Sequence, residues 1–187
     1  MKKIICLVML AAMLLVSTAF AENTTTEFGE WRVSAYVDEF EIPTGNYGAV
    51  IFPEGTFDNS AANDAFLGVK ITCEYYEKYK DYIFGFTLYE YGNHMATNTS
   101  TKYNKDFNVV MLDSLGQKHY LDGAQAPQSY IILFLEPEDN KTIFDAFMQG
   151  GTVRFYIEET ERPINNYSFT IEDCGGFDKV IERMNSK

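Results

Sequence analysis

The feature that most constrains this chain is alternation. From Trp31 onward apolar and polar residues take turns in short runs, the period that sends successive side chains to opposite faces of a β-strand. Trp31, Val33, Ala35 and Val37 share one face, with Arg32, Ser34, Tyr36 and Asp38 on the other. The pattern returns at Leu67, Val69, Ile71 and Cys73, at Phe84, Phe86 and Leu88, and at Phe107, Val109 and Met111. It returns again at Val153, Phe155 and Ile157, and at Tyr167, Phe169 and Ile171. Turn clusters such as Pro43-Thr44-Gly45-Asn46 and Asp113-Ser114-Leu115-Gly116 separate the runs. Residues 130–135 are continuously apolar, as a strand buried on both faces would be.

Helical spacing occurs only late. Ile143, Phe144 and Phe147 follow Asp139 or Asn140 as a possible cap, and Gly150-Gly151 sits where a stop belongs. Phe177, Val180, Ile181 and Met184 form a second apolar stripe after Gly175-Gly176. Many spaced strands without intervening helices predict an all-β domain, mainly an antiparallel β-sandwich of about 8–9 strands, with two short helices in the C-terminal third.

The first residues read differently. Lys2 and Lys3 precede an apolar run over residues 4–16, and Ser17-Thr18-Ala19-Phe20-Ala21 closes it. A positive start, about a dozen apolar residues and an A-x-A end are the parts of a cleaved secretory signal. A membrane anchor would need about 20 apolar residues. The expected organisation is a signal at residues 1–21, a disordered lead-in at 22–28 and one domain at 29–187. The protein would then be exported, to the periplasm or out of the cell, with no membrane span in the mature chain.

Removing 21 of 187 residues leaves 166, enough for one domain to bury a sizeable core. The full chain carries −12, and the leader holds two lysines and no acid, so the remainder carries −14. Phosphate backbones would repel such a chain, which argues against nucleic acid as a partner. Cys73 and Cys174 remain after cleavage, and an oxidising compartment predicts a disulfide between them. Closing a loop of about a hundred residues would stabilise by up to ~4–5 kcal/mol. The competing readings are two structural thiols, or a reactive thiol at Cys174 whose pKa a helix N-terminus lowers.

No motif specifies a chemistry: G-x-S-x-G, H-E-x-x-H, P-loop and EF-hand patterns are all missing. His94 and His119 are the only histidines, too few for a three-histidine metal site, and both read as surface residues. No catalytic residue, metal or cofactor is expected. Acidic clusters such as Glu158-Glu159-Glu161 and Glu172-Asp173 read as solvated strand ends. Tyrosines carry the binding expectation: Tyr75, Tyr76, Tyr79, Tyr89 and Tyr91 could form a flat platform for a peptide or sugar. Cross-strand pairing within the sheet would explain them equally well.

The run Phe28-Gly29-Glu30-Trp31-Arg32-Val33, then Asp38-Glu39-Phe40 and Pro43-Thr44-Gly45, resembles the start of a group of uncharacterised exported bacterial β-sandwich proteins. The ending, Tyr167-Ser168-Phe169-Thr170-Ile171 followed by Gly176-Phe177, is similar to theirs. The G-x-W-x-V start also resembles, more faintly, the invasion-associated locus B family. Both resemblances imply an exported β-sandwich and carry over no catalytic residue. The expected function is therefore an exported, non-catalytic binding domain whose partner is a protein or a glycan. One alternative is a glycan-acting hydrolase using paired carboxylates. Another is an inhibitor of a secreted enzyme, with the polar loop over residues 92–105, expected to be mobile, plugging a cleft.

Overall fold

The computed structural model describes residues 25–76, 80–92 and 94–186. The expected export signal, residues 1–21, lies outside them. Twelve strands and two helices follow in chain order: β1 (Thr26–Phe28), β2 (Trp31–Val37), β3 (Pro43–Ile51), β4 (Glu54–Asp58), β5 (Ala65–Tyr76) and β6 (Asp81–Glu90). Then come β7 (His94–Met95), β8 (Lys105–Leu112), β9 (Lys118–Gln125), β10 (Ile131–Phe134), helix α1 (Pro137–Gln149), β11 (Val153–Glu159), β12 (Asn166–Ile171) and helix α2 (Phe177–Asn185). The all-β class with two late helices is as expected. The strand count exceeds expectation because very short strands such as β1 and β7 leave no periodic trace. Part of the segment read as a disordered lead-in is strand, since Thr26–Phe28 pairs with β2.

The sheet does not split into a sandwich. Its strands run β5-β4-β12-β11-β8-β9-β10-β6, and β6 pairs back onto β5, closing an eight-stranded antiparallel barrel. Alternation looks identical in the two architectures, because both bury one face of every strand. What separates them is register across distant strands. Here the closing ladder runs from Leu67↔Glu90 to Tyr76↔Asp81.

β5 is long enough to serve two neighbours on its other edge. Its C-terminal half pairs with β3 and its N-terminal half with β4. Phe52 and Pro53 divide those two, since proline has no N–H to give the ladder. The Pro53 carbonyl still accepts from Val69 N–H (3.0 Å), so β5 loses little at the break. From this fork β4 continues to β12 and closes the barrel, while β3 turns away to β2 and β1.

Inward side chains fill the barrel. Phe86 sits edge-on to Phe134 (5.0 Å), Phe155 (5.1 Å) and Phe169 (5.8 Å), all of them buried. An eight-stranded barrel is just wide enough to be filled this way. The two helices cover one end. Phe147 of α1 and Phe177 of α2 meet at 5.5 Å, and Trp31 of β2 packs on both, at 5.5 and 4.9 Å. Trp31 is thus the core anchor its strand pattern implied.

Pro137 opens α1, and neither Asp139 nor Asn140 caps it; Glu136 holds that position. Asn140 is buried one turn in. Its Oδ1 accepts from Phe84 N–H (2.9 Å) and its Nδ2 donates to the Phe134 carbonyl (2.7 Å). The β10–β6 ladder ends at Leu133↔Gly85, one step short of those residues. The asparagine amide replaces the missing rung.

The expected disulfide is absent. Cys73 lies inside the barrel on β5 and Cys174 follows β12; both are buried and free, and no sulfur pair is at bonding distance. The reactive-thiol reading fails as well. Burial, reinforced by Asp173 and Glu30, pushes the Cys174 thiol up to about 12, and burial also raises Cys73. Burial outweighs the nearby N-terminus of α2.

Candidate functional site

The expected tyrosine platform does not assemble. Tyr75, one residue before the end of β5, stands opposite Tyr82, with ring centres 5.2 Å apart. Tyr82 in turn stacks on Phe144 of α1 and donates to Asn185 of α2 (3.0 Å), so this pair seals the helix layer. Tyr91 lies nine residues beyond Tyr82, roughly 30 Å along the strand direction. It packs edge-on against Phe57 (5.0 Å) and bonds Asn59 through its hydroxyl. Tyr89 is half-buried on the outer face of β6, where burial and Tyr130 raise its phenol. Tyr79 and the side chain of Tyr76 lie outside the described residues.

The registers assemble a different aromatic face. Phe66 of β5 stands opposite Thr56 of β4, Thr56 opposite Ser168 of β12, and Ser168 opposite Tyr156 of β11. Tyr156 stands opposite Val110 of β8, and Val110 opposite Tyr120 of β9. All six point outward, because their chain neighbours face the core. They form one row across six strands, about 24 Å long at the usual strand spacing. Its three rings are open to solvent: Phe66 by 54%, Tyr156 by 40% and Tyr120 by 77%. Between them the hydroxyls of Thr56 and Ser168 bond each other at 3.3 Å. The flanking rows differ in charge. Asp58, Asn166, Glu158, Asn108 and Asp122 run along one side, and Glu54, Thr170, Arg154, Leu112 and Lys118, of mixed sign, along the other. Tyr156 donates to Glu158 (3.3 Å), which fixes its ring across the row, and burial with Glu158 raises its phenol.

Beside the middle of this row lies a cleft of about 600 Å³, opened by the fork between β3 and β4. Phe52 and Pro53 form one wall. Glu54, Thr56, Ser168, Thr170 and Arg154 come from β4, β12 and β11, Phe155 and Phe169 of the same strands lie at its floor, and Glu30 and Glu172 also line it. Gly55 is required here: a Cβ on it would lie 2.0 Å from the Ser168 carbonyl, so only glycine lets β4 run this close to β12. Arg154 makes no ion pair or hydrogen bond among the described residues.

The remaining candidates are structural. The loop over 92–105, expected to be mobile, is tied to the barrel: buried Asn98 donates to the carbonyls of Tyr103 and Gln125 (both 3.0 Å), and Gln125 Nε2 donates to the Ala96 carbonyl. His119 is half-buried and bonded to Asp113 (2.9 Å), not a free surface residue, whereas His94 is exposed on β7. Among the described residues no group of three or more His, Cys, Asp or Glu is placed to hold a metal. No helix among them is long and apolar enough to cross a membrane.

Single-strand patterns could not reveal the row, because each strand contributes one residue and only the registers align them. One signal was present: Phe66, Tyr120 and Tyr156 each occupy a polar slot of an alternating strand. Comparison with protein-family models, curated proteins and solved structures finds no match.

Proposed function

We propose that this chain is an exported, non-catalytic binding domain that holds its ligand on the outer face of β5, β4, β12, β11, β8 and β9. One observation carries the reading: the solvent-open row from Phe66 to Tyr120, aligned by register on rigid strands. Aromatic rings held by a sheet give contact area at little entropic cost. The filled barrel supports an external site over an internal one. The leader and the likeness to exported bacterial proteins support export.

The test uses the mature chain, residues 22–187, immobilised and exposed to polysaccharide and protein fractions of its own cell envelope. Retained material should be released by Tyr120→Ala and Tyr156→Ala together, with the melting temperature unchanged because both rings are solvent-open. Retention unaffected by the pair would overturn the reading. Three glutamates in the fork cleft favour the hydrolase as the second reading. New reducing ends released by the native chain, and lost in Glu54→Gln, would establish it instead.

A further inference from the structure

We infer that the fork cleft is a saccharide site, taking one neutral, hydroxyl-rich unit of the ligand that lies along the outer row; the inference rests on that reading of the row. The cleft offers three kinds of group. Phe52, 52% exposed, carries the Arg32 guanidinium 5.9 Å over its ring, and the C–H face of a sugar can pack where Arg32 leaves the ring open. Arg154 presents its fork of donors, none engaged among the described residues. Glu30, Glu54 and Glu172 present acceptors, and Thr170 a hydroxyl that does both.

This mixture selects by chemistry. A hydrocarbon would strip water from the four charged groups and return no hydrogen bond. An anion would meet three carboxylates for one guanidinium, on a mature chain already at −14. A neutral polyol satisfies both signs at once. Its hydroxyls donate to the carboxylates and accept from the guanidinium, while one ring face remains for Phe52. The volume of about 600 Å³ lies within the range of small-ligand sites.

Position links the cleft to the row. Glu54, Thr170 and Arg154 sit two residues from Thr56, Ser168 and Tyr156 respectively, on the same outward faces. Thr56 and Ser168 belong to both row and cleft. A sugar chain lying along the rings therefore meets the cleft at its middle, where an end or a branch can turn in.

The experiment is a titration of the ¹⁵N-labelled mature chain with neutral cello-, xylo-, manno- and chito-oligosaccharides. Oligogalacturonate and trilysine serve as anionic and cationic comparators. At least one neutral oligosaccharide should shift the amides of Phe52, Glu54 and Thr170, with Kd near about 1 mM or below. Arg154→Ala and Phe52→Ala should each weaken it about tenfold. Both side chains are exposed, so the folded spectrum should persist in either variant. The inference is overturned if no neutral sugar moves those amides, or if either charged comparator binds the cleft more tightly. Shifts confined to Tyr120, Tyr156 and their neighbours would sink the cleft and spare the row. Shifts confined to the cleft, with Tyr120→Ala and Tyr156→Ala at full affinity, would sink the row and spare the cleft.

Discussion

Asp113 shows how much one side chain settles. Its Oδ1 accepts from the backbone N–H groups of Leu115 (3.0 Å) and Gln117 (2.8 Å), shaping the turn between β8 and β9, while Oδ2 meets His119 Nε2 at 2.9 Å. The sequence announces the turn through Asp-Ser-Leu-Gly but not the histidine, which stands six residues away and returns only when the hairpin closes. The His119 hydrogen bond, helped by the two backbone bonds, holds the Asp113 carboxyl below the usual carboxylate range. A group whose folded pKa is depressed stabilises the fold above its unfolded value, near about 3.9, and the contribution is lost as pH falls through the folded value. Asp113→Asn should therefore melt lower than the native chain at neutral pH, and lose less stability than it does between about pH 5 and pH 3. Parallel acid limbs in thermal melts would contradict this. The cysteines teach the converse at the same scale. Their number and compartment predicted a bond, yet Cys73 points into the barrel while Cys174 follows the last strand. Spacing along a chain carries no information about that separation.

At the scale of elements, helix α1 does more than cover the barrel mouth. Its stripe of Ile143, Phe144 and Phe147 was legible from spacing, and Gly150, with φ of 73°, ends it where expected. The polar residues at its start misled for a physical reason. Asp and Asn before an apolar stripe are cap signals, but Pro137 already fits the first helical position. That moves Asn140 into the helix, facing the ends of β6 and β10, and leaves Asp139 to accept from Asp122 N–H at 3.2 Å. Asn140→Ala would leave Phe84 N–H and the Phe134 carbonyl unpaired in a buried place. The expected loss is about 2–6 kcal/mol, since each of the two orphaned groups costs roughly 1–3. Urea unfolding monitored by Trp31 fluorescence measures it, and a loss below about 1 kcal/mol would show that the side chain is not the missing rung. The fork belongs to this scale too. Pro53 in an otherwise strand-like run reads as an interruption, but only the pairing of β3 and β4 with one long β5 shows that the interruption opens a cleft.

For the whole molecule, strand period and helix stripes gave the class and most of the core, because both follow from which face is buried. Closure was not legible. A sandwich and a barrel ask the same alternation of each strand, and the choice lies in which strands meet across the chain, such as β4 with β12 and β6 with β5. The same limit hid the row of Phe66, Tyr156 and Tyr120, three residues from three distant segments. Closure also directs the functional reading, since a barrel packed with Phe86, Phe134, Phe155 and Phe169 leaves ligand contacts to its outer face. Cross-strand NOEs in the mature chain test closure most directly. The account predicts Hα and amide contacts along all eight ladders, including Thr56 to Ser168, Phe86 to Ile132 and Ile71 to Phe86. Two sets of ladders with no contact between β4 and β12, or between β6 and β10, would mean two facing sheets and contradict it.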